Sequence, residues 1–250
     1  MHNAVNILDD AIEIKFCVMQ QSVRHFKTRG STRLFGPFSG RRNARLSWLG
    51  GIGLAMACVA GNAIAHPHVW VSYAADIQMQ DRAVASIAET WRFTNGFPVQ
   101  IIGLDAQPKD GPATAAQTAV FKEQAFDSLG RVGYYTHLYV NGVPQRLDGP
   151  IDFRVAIEGG DVVYRFTLRL PSPVMVTGHT VTLGIWDPSF FVDYEAEGNA
   201  PDKAIRLRDA SGKVVGGSEK AGCTVKSFAD TAHPIFTGLV IPKAVTLSCA

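Results

Sequence analysis

The sequence HVWVSYAADIQM, residues His68–Met79, alternates apolar and polar side chains along its length. Residues Val84–Phe93 (VASIAETWRF) alternate in the same way, and Asp81 and Arg82 stand between the two runs. Alternation with a period of two places one face of a strand in a core and the other in solvent. The two runs therefore predict a β-hairpin with its turn at Asp81 and Arg82.

Further short runs repeat this pattern, with turn residues between them. Asn141-Gly142 separates Tyr134–Val140 from Val143–Leu147, and an Asn-Gly step there is a strong hairpin signal because both residues accept positive φ. The remaining predicted strands are Phe153–Ile157, Val162–Leu170, Thr180–Trp186, Thr224–Phe228 and Ala244–Cys249. Strands at short intervals with hairpin turns predict a mostly β fold, an immunoglobulin-like β-sandwich.

The helical signal is confined to one region, about residues 97–130. Ala113–Leu129 carries apolar side chains near helical spacing, and Gly130 follows as a predicted end. A shorter helix is predicted around Phe97–Leu104, with Pro98 in its first turn. We therefore expect the sandwich to carry a short helical insertion.

The first 65 residues have the features of a leader. A basic segment at 41–45 precedes Leu46–Ala60, which is apolar and uncharged, and Ala63 and Ala65 are small residues where a signal peptidase would recognise them. The apolar run is shorter than the roughly 20 residues that cross a bilayer. The sequence therefore predicts cleavage after Ala65 and a single β-rich periplasmic domain over residues 66–250.

Two other interpretations of the leader remain open. Arg41-Arg42 could belong to a twin-arginine signal, although the residues that follow match that pattern poorly. Cys58 could be lipidated, in which case the mature protein would begin there. The residues before about Ser39 are ascribed to a start codon assigned too early or to an extended basic region.

The charge of the chain changes sign when the leader is removed. Eight of the 24 Lys and Arg residues and three of the 22 Asp and Glu residues lie in 1–65. Residues 66–250 therefore keep 16 basic and 19 acidic side chains, a net charge of −3. Because phosphate binding needs a basic face, we expect no nucleic-acid partner.

Two cysteines, Cys223 and Cys249, remain in the predicted mature domain. An even count in an exported protein favours one disulfide. The alternative is a pair of free thiols that act as metal ligands.

Cleavage after Ala65 would make His66 the first residue, followed by Pro67 and His68. The α-amine and Nδ1 of a terminal histidine can chelate one metal as a histidine brace, and His68 in an extended strand would add a third nitrogen. Such donors suit zinc, nickel, cobalt and copper. The simple amino-terminal copper and nickel motif is excluded because Pro67 has no amide proton. The alternative is that both histidines face solvent beside a rigid proline.

Four further side chains are weaker candidates. His137 lies in an aromatic strand and could join His66 and His68 if that strand neighbours the first, or it could be a satisfied histidine on a sheet face. Asp187 could be a ligand, could orient an imidazole, or could cap its own turn. His179 is expected at the surface, and His233 is a weak ligand candidate.

An ordered set of short motifs spans nearly all of residues 66–250. It comprises His66-Pro67-His68-Val69-Trp70, Trp91-Arg92-Phe93, Tyr134-Tyr135-Thr136, Val140-Asn141-Gly142, Asp152-Phe153, Trp186-Asp187-Pro188, Gly222-Cys223 and Val245–Ala250. This order resembles an uncharacterised bacterial family of exported proteins, described only as a domain of unknown function or as the periplasmic component of an ABC-type transport system. The resemblance implies metal traffic, because members often accompany or are fused to nickel/cobalt-type membrane transporters.

The expected function is an accessory or binding component of transition-metal transport (Zn, Ni or Co), whose partner is an inner-membrane metal transporter. We expect contact with the membrane only through that partner. One alternative is an interaction module that docks on a transporter and binds no ion, and another is a copper histidine-brace oxidative enzyme. The sequence has no Gly-x-Ser-x-Gly, P-loop or dinucleotide-binding pattern, so an enzyme is not expected.

Overall fold

The structure is a computed structural model that describes residues 67–97, 109–215 and 222–250. The described residues all belong to one compact unit, residues 66–250. The predicted leader, its cleavage site and His66 lie outside the described residues. So does nearly all of the short helix predicted around Phe97–Leu104.

The described residues form two β-sheets. The strands are β1 (Val69–Gln80), β2 (Ala83–Asn95), β3 (Gly111–Pro112), β4 (Thr136–Val140), β5 (Val143–Pro144), β6 (Asp148–Glu158), β7 (Asp161–Met175), β8 (Val181–Ile185), β9 (Val192–Ala196), β10 (Ile205–Arg208), β11 (Cys223–Ala229) and β12 (Lys243–Cys249). The larger sheet has the order β10-β1-β2-β7-β6-β3, with β9 also paired to β1, and the smaller has the order β11-β12-β8-β4-β5.

The hairpin predicted from the opening stretch is confirmed. β1 and β2 pair antiparallel, and alternate side chains of β1 are buried from Val69 to Met79. The turn is at Asp81 and Arg82, whose φ angles are 48° and 66°. The predicted turn at Asn141-Gly142 is confirmed in the same way, with φ angles of 49° and 78°.

The inward side chains of both sheets share one core. Ile87 and Leu168 from the larger sheet belong to the same buried cluster as Leu183 and Leu247 from the smaller sheet. Burial of apolar surface between two sheets is the main stabilisation of a sandwich. The prediction of a mostly β sandwich with a short helical insertion is therefore confirmed.

The helical insertion differs from its prediction at both ends. Helix α1 (Ala115–Phe121) begins at the capping box of Thr114, and it continues through a π-helical turn, Lys122–Phe126, into 3₁₀ turns at Asp127–Tyr135. The helical run passes through Gly130, so the prediction that Gly130 ends it was wrong.

The start of β4 also differs from the prediction. Tyr134 and Tyr135 were predicted as strand residues, but they adopt positive φ angles of 54° and 53°, and β4 begins at Thr136. Both tyrosine side chains are buried. Burial of two large rings outweighs both the strand propensity of tyrosine and the strain of the left-handed conformation.

Two short parallel strands extend the open edge of β1. Its first half pairs with β9, and its second half pairs with β10. A 3₁₀ turn, Glu197–Asn199, and a short helix α2 (Pro201–Ala204) connect these two strands. Neither β9 nor β10 is among the strands predicted from the sequence.

The predicted disulfide is present. Cys223 and Cys249 are bonded and lie directly opposite each other where β11 begins and β12 ends. The loop between these strands, residues 230–242, is named the covering loop here because it packs over Trp186 of the smaller sheet. Among the described residues, no helix combines the length and apolar character that spanning a membrane requires.

Candidate functional site

The turn after β8, residues 186–191, is where the described site candidates meet. Asp187 is buried, and its Oδ1 accepts hydrogen bonds from the Ser189 N–H (2.9 Å) and the Ser189 Oγ–H (2.8 Å). Its Oδ2 accepts from the N–H of Val192 at 3.0 Å. Asp187 therefore organises its own turn, as the structural alternative predicted.

His68 lies against the end of this turn. Its backbone N–H donates to the carbonyl of Phe191 at 2.9 Å, and the two rings are 4.8 Å apart. The side chain is half-buried. The start of β1 is therefore held in place by Phe191. Phe191 belongs to the turn that the Asp187 hydrogen bonds stabilise.

His137 contacts the beginning of the same turn from the smaller sheet. Its Nε2–H donates to the carbonyl of Trp186 at 3.0 Å, and the imidazole stacks on the indole with centroids 4.4 Å apart. Burial lowers the pKa of His137, and the nearby His233 lowers it further, while the Trp186 carbonyl opposes the change. The ring is therefore a neutral imidazole at pH 7.

The condition for His137 to join His66 and His68 is not met. β4 lies in the smaller sheet beside β8, whereas β1 lies in the larger sheet. Since Leu138 points into the core, the neighbouring His137 points to the opposite face of its strand. His68 and His137 therefore contact the same turn, but their strands are not neighbours in one sheet.

Gly184 is required for the position of the Trp186 ring. A Cβ on Gly184 would stand 1.7 Å from the indole, and Gly184 is the cross-strand partner of His137. Any larger residue would displace the indole from its stack on His137.

The covering loop is held by a second buried carboxylate. Asp230 Oδ1 accepts from the N–H of Ala232 at 3.1 Å, and Oδ2 is 2.8 Å from Nδ1 of His233. The His233 ring stacks on Tyr139 with centroids 4.3 Å apart. His233 therefore fastens the loop to the sheet, whereas His179 is exposed in a turn, as predicted.

A cleft of about 160 Å³ lies between β9 and the covering loop. Its walls are largely aromatic and aliphatic, formed by Tyr73, Trp186, Phe190, Tyr194, Ile235 and Val240. Charged side chains contribute at the same place, Asp193 and Glu195 from β9 and Lys243 from β12. Small-molecule sites are usually clefts of about 300–1,000 Å³, so this cleft is smaller than a typical one.

A buried carboxyl group lies in the core near this cleft. Glu89 is 2% exposed and accepts hydrogen bonds from Trp91 Nε1–H and from Thr136 Oγ–H, each at 2.7 Å. Burial raises the pKa of Glu89 to about 7, and the two hydrogen bonds only partly oppose this. Burial raises the pKa values of Tyr73 and Tyr194, which line the cleft, and the negative charge on Glu89 adds a smaller effect in the same direction.

The model of a family described as a protein of unknown function (DUF1007) matches residues 51–232. The chain belongs to this family. A search of the curated proteins finds no match. The match to DUF1007 includes the turn at 186–191 and strand β9, but it ends before the covering-loop wall of the cleft, which begins at Ile235.

The described part of this DUF1007 member contains no group of three or more His, Cys, Asp or Glu side chains that could hold a metal ion. The thiol alternative is excluded, because both cysteines are in the disulfide. His66, the remaining ligand that the sequence predicts, lies outside the described residues.

Sequence reasoning missed Glu89, Asp230 and the edge strand β9. The signal for Glu89 was present, because it shares the apolar face of its alternating strand with Ile87 and Trp91. A signal for Asp230 was also present, because an Asp can accept a hydrogen bond from the backbone two residues later, as Asp230 does from Ala232. β9 alternates apolar and charged residues over its five positions, so a signal for this strand was also present in the sequence.

Proposed function

We propose that this protein is exported to the periplasm and acts as a binding component of a transition-metal transport system. In this proposal His66 and His68 bind the ion, and an inner-membrane metal transporter is the partner. Zinc, nickel and cobalt are the proposed ions, and copper also suits the donors. The observation that carries the proposal is the placement of His68, which is half-buried at the start of β1 with its ring in tilted contact with Phe191.

The short distance along the chain supports a joint site. Two residues span at most about 7 Å of extended backbone, so His66 stays within reach of a metal held by His68. An amine and two imidazoles supply three nitrogen donors. Zinc prefers four ligands, so one position stays open for a donor from the receiving protein.

The surrounding residues have positioning roles in this proposal. Asp187 holds the turn that carries Phe191, and Phe191 holds His68. Residues that orient a metal ligand are common around metal sites. His137 supports the other end of the same turn through the Trp186 carbonyl.

The test uses the full-length chain exported by its own leader and purified in processed form. Amino-terminal sequencing is expected to give His66 as residue one. Equilibrium dialysis is then expected to show one ion bound per chain for at least one of zinc, nickel, cobalt and copper, with a Kd below about 10 μM. His68→Ala and a Gly-Ser extension before His66 should each weaken binding at least tenfold, because each removes nitrogen donors.

His179→Ala is the matched control, since His179 is exposed in a turn outside this site. Its Kd should equal that of the unaltered protein. A mature terminus at another residue would contradict the proposal. So would an affinity that neither the His68 variant nor the extension changes, or the absence of binding tighter than about 10 μM for all four ions.

A second candidate function is a module that docks on a membrane transporter without binding an ion. The covering loop favours it, because Leu239 is 75% exposed and Ile241 is 43% exposed there. Exposed apolar side chains on a loop are a common feature of protein-binding surfaces. If metal uptake by cells survives His66→Ala with His68→Ala but not deletion of residues 66–250, docking is the function.

A further inference from the structure

One edge of β9 carries backbone groups with no partner in the described part of the chain. β9 pairs with β1 on one side only. The N–H of Val192 points away from β1, because it donates to Asp187. Backbone groups of alternate residues point to the same side of a strand, so the N–H and C=O of Tyr194 also point outward. Neither has a hydrogen-bond partner among the described residues.

The open edge of β9 borders the cleft along its whole length. All five residues of Val192–Ala196 line the cleft. The opposite wall belongs to the covering loop, where Ile235, Val240 and Ile241 are apolar. A volume of about 160 Å³ accommodates an apolar side chain from a strand laid along this edge.

The outward face of β9 is acidic. Asp193 and Glu195 are two residues apart, so they project from the same face, beside Trp70 and Ser72 of β1. Neither carboxylate forms an ion pair with a described residue. The pKa of Asp193 is raised by burial and by the neighbouring charge of Glu195.

We propose that β9 binds an extended peptide segment of a partner protein as an added strand. Backbone hydrogen bonds to Tyr194 supply part of the affinity, and alternate apolar side chains of the segment enter the cleft. Lys or Arg residues at the other positions lie opposite Asp193 and Glu195. The site is separate from the metal proposed at His66 and His68, and it functions with or without that ion.

The charge of β9 favours a basic partner segment over a second copy of this chain. Pairing of two copies through β9 would bring Asp193 and Glu195 of one copy close to the same carboxylates of the other. Like charges in cross-strand positions are destabilising, whereas opposite charges are stabilising. The acidic side chains therefore disfavour self-association at an open edge and favour a basic strand.

The test measures binding of a fluorescent peptide, acetyl-Lys-Val-Lys-Leu-Lys-Val-Lys-amide, to the metal-free processed protein by fluorescence polarisation. We expect saturable binding. A peptide methylated at alternate backbone nitrogens, with unchanged side chains, should bind at least tenfold more weakly, because it loses hydrogen bonds to the edge. A peptide with Glu in place of Lys should bind at least tenfold more weakly as well.

Protein variants then locate the site. Asp193→Lys with Glu195→Lys should reverse the preference, so that the Glu peptide binds more tightly than the Lys peptide. Ile241→Asp should weaken binding of the Lys peptide, and it tolerates substitution because Ile241 is 43% exposed. Glu123→Lys is the matched control for charge, since Glu123 is exposed on the helical insertion, and it should leave the preference unchanged.

Amide hydrogen exchange distinguishes strand addition from binding by charge alone, because only backbone hydrogen bonds protect an amide. Binding of the Lys peptide should protect the Tyr194 amide and leave those of Asp193 and Glu195 unchanged, because these two already face β1. The proposal is overturned if methylation of the peptide has no effect, or if Glu123→Lys alters binding as much as the β9 variant. It is also overturned if the metal-free protein dimerises through β9 in sedimentation experiments.

Discussion

Glu89 is a charged residue at a position where the alternation of its strand predicts a buried apolar one. Its strand alternates as predicted, and Ile87 and Trp91 on either side of it along one face are fully buried. The same alternation places a carboxyl group in the core. The position was therefore predictable from the sequence, whereas its hydrogen bonds to Trp91 and Thr136 were not, because Thr136 is 47 residues away in the other sheet.

The raised pKa of Glu89 predicts a pH-dependent stability. Its pKa is about 7 in the folded chain, against an ordinary value of 4.5, so the folded protein binds the proton more tightly than the unfolded chain. The free energy of unfolding should therefore fall as the pH rises from about 4.5 to about 7, and this contribution should change no further above pH 7. The full change is on the order of 3 kcal/mol.

Glu89→Gln should remove this dependence. The amide oxygen can accept from Trp91 Nε1–H. The amide nitrogen can donate to Thr136 Oγ, because in the variant the hydroxyl proton can turn from residue 89 to the Tyr134 carbonyl, 3.0 Å away. Urea denaturation at pH 5 and pH 8 measures the difference for each protein. Glu123→Gln, on the surface, should keep the pH dependence of the unaltered chain. If the free energy of unfolding changes equally between pH 5 and pH 8 in the Glu89 and Glu123 variants, another group is responsible for the pH dependence.

The candidate site residues differ in how far the sequence alone predicts their roles. The turn-forming interpretation of Asp187 follows from local chemistry, because an Asp before a proline can bond to the backbone two residues later. The environment of His137 depends on which strands are neighbours, and a single sequence does not specify that. His66 as a metal ligand stays a prediction, since it lies outside the described residues.

At the scale of elements, strands with strong alternation and specific turn residues were predictable. β1, β2 and the turns at Asp81 and at Asn141-Gly142 depend on local preferences, and each is confirmed. β9 and β10 depend on a neighbour that is distant in sequence. Each forms because β1 offers a free edge, and short segments take their conformation from such pairing more than from propensity.

The disulfide is predicted to contribute to the stability of the smaller sheet. β11 is an edge strand, and the bond closes a loop with a sequence separation of 26 residues. Replacing both Cys223 and Cys249 by Ala should lower the free energy of unfolding by about 3 kcal/mol, because the unfolded chain gains conformational freedom. Urea denaturation of the two proteins measures this.

Reduction of the unaltered protein is the control for that prediction, and it should reproduce the loss without any change in side-chain volume. A loss below about 1 kcal/mol in both experiments would show that the unfolded chain is not constrained by the bond as the entropy model assumes. The covering loop lies inside the closed segment. The same variant should therefore also weaken the peptide binding proposed at β9, since the far wall of the cleft is less constrained.

At the scale of the whole domain, the functional candidates lie along the same part of the sandwich. The start of β1, the turn at 186–191 and the open edge of β9 are linked through Phe191, which bonds to His68 and directly precedes β9. A metal proposed at the amino terminus and a peptide proposed at β9 would therefore depend on one turn. Both depend on the two sheets staying packed together.

Unfolding of residues 66–250 should therefore be a single cooperative transition. Trp91 from the larger sheet packs on Phe126 of the helical insertion at 6.1 Å, and the core side chains of both sheets form one cluster. Separation of the sheets would expose that cluster, so neither sheet should survive without the other. Far-UV circular dichroism, which reports the strands, and near-UV circular dichroism, which reports the packed aromatic rings, should give the same urea midpoint. The cysteine double variant should shift both midpoints together, and separated midpoints would show that the sheets unfold independently.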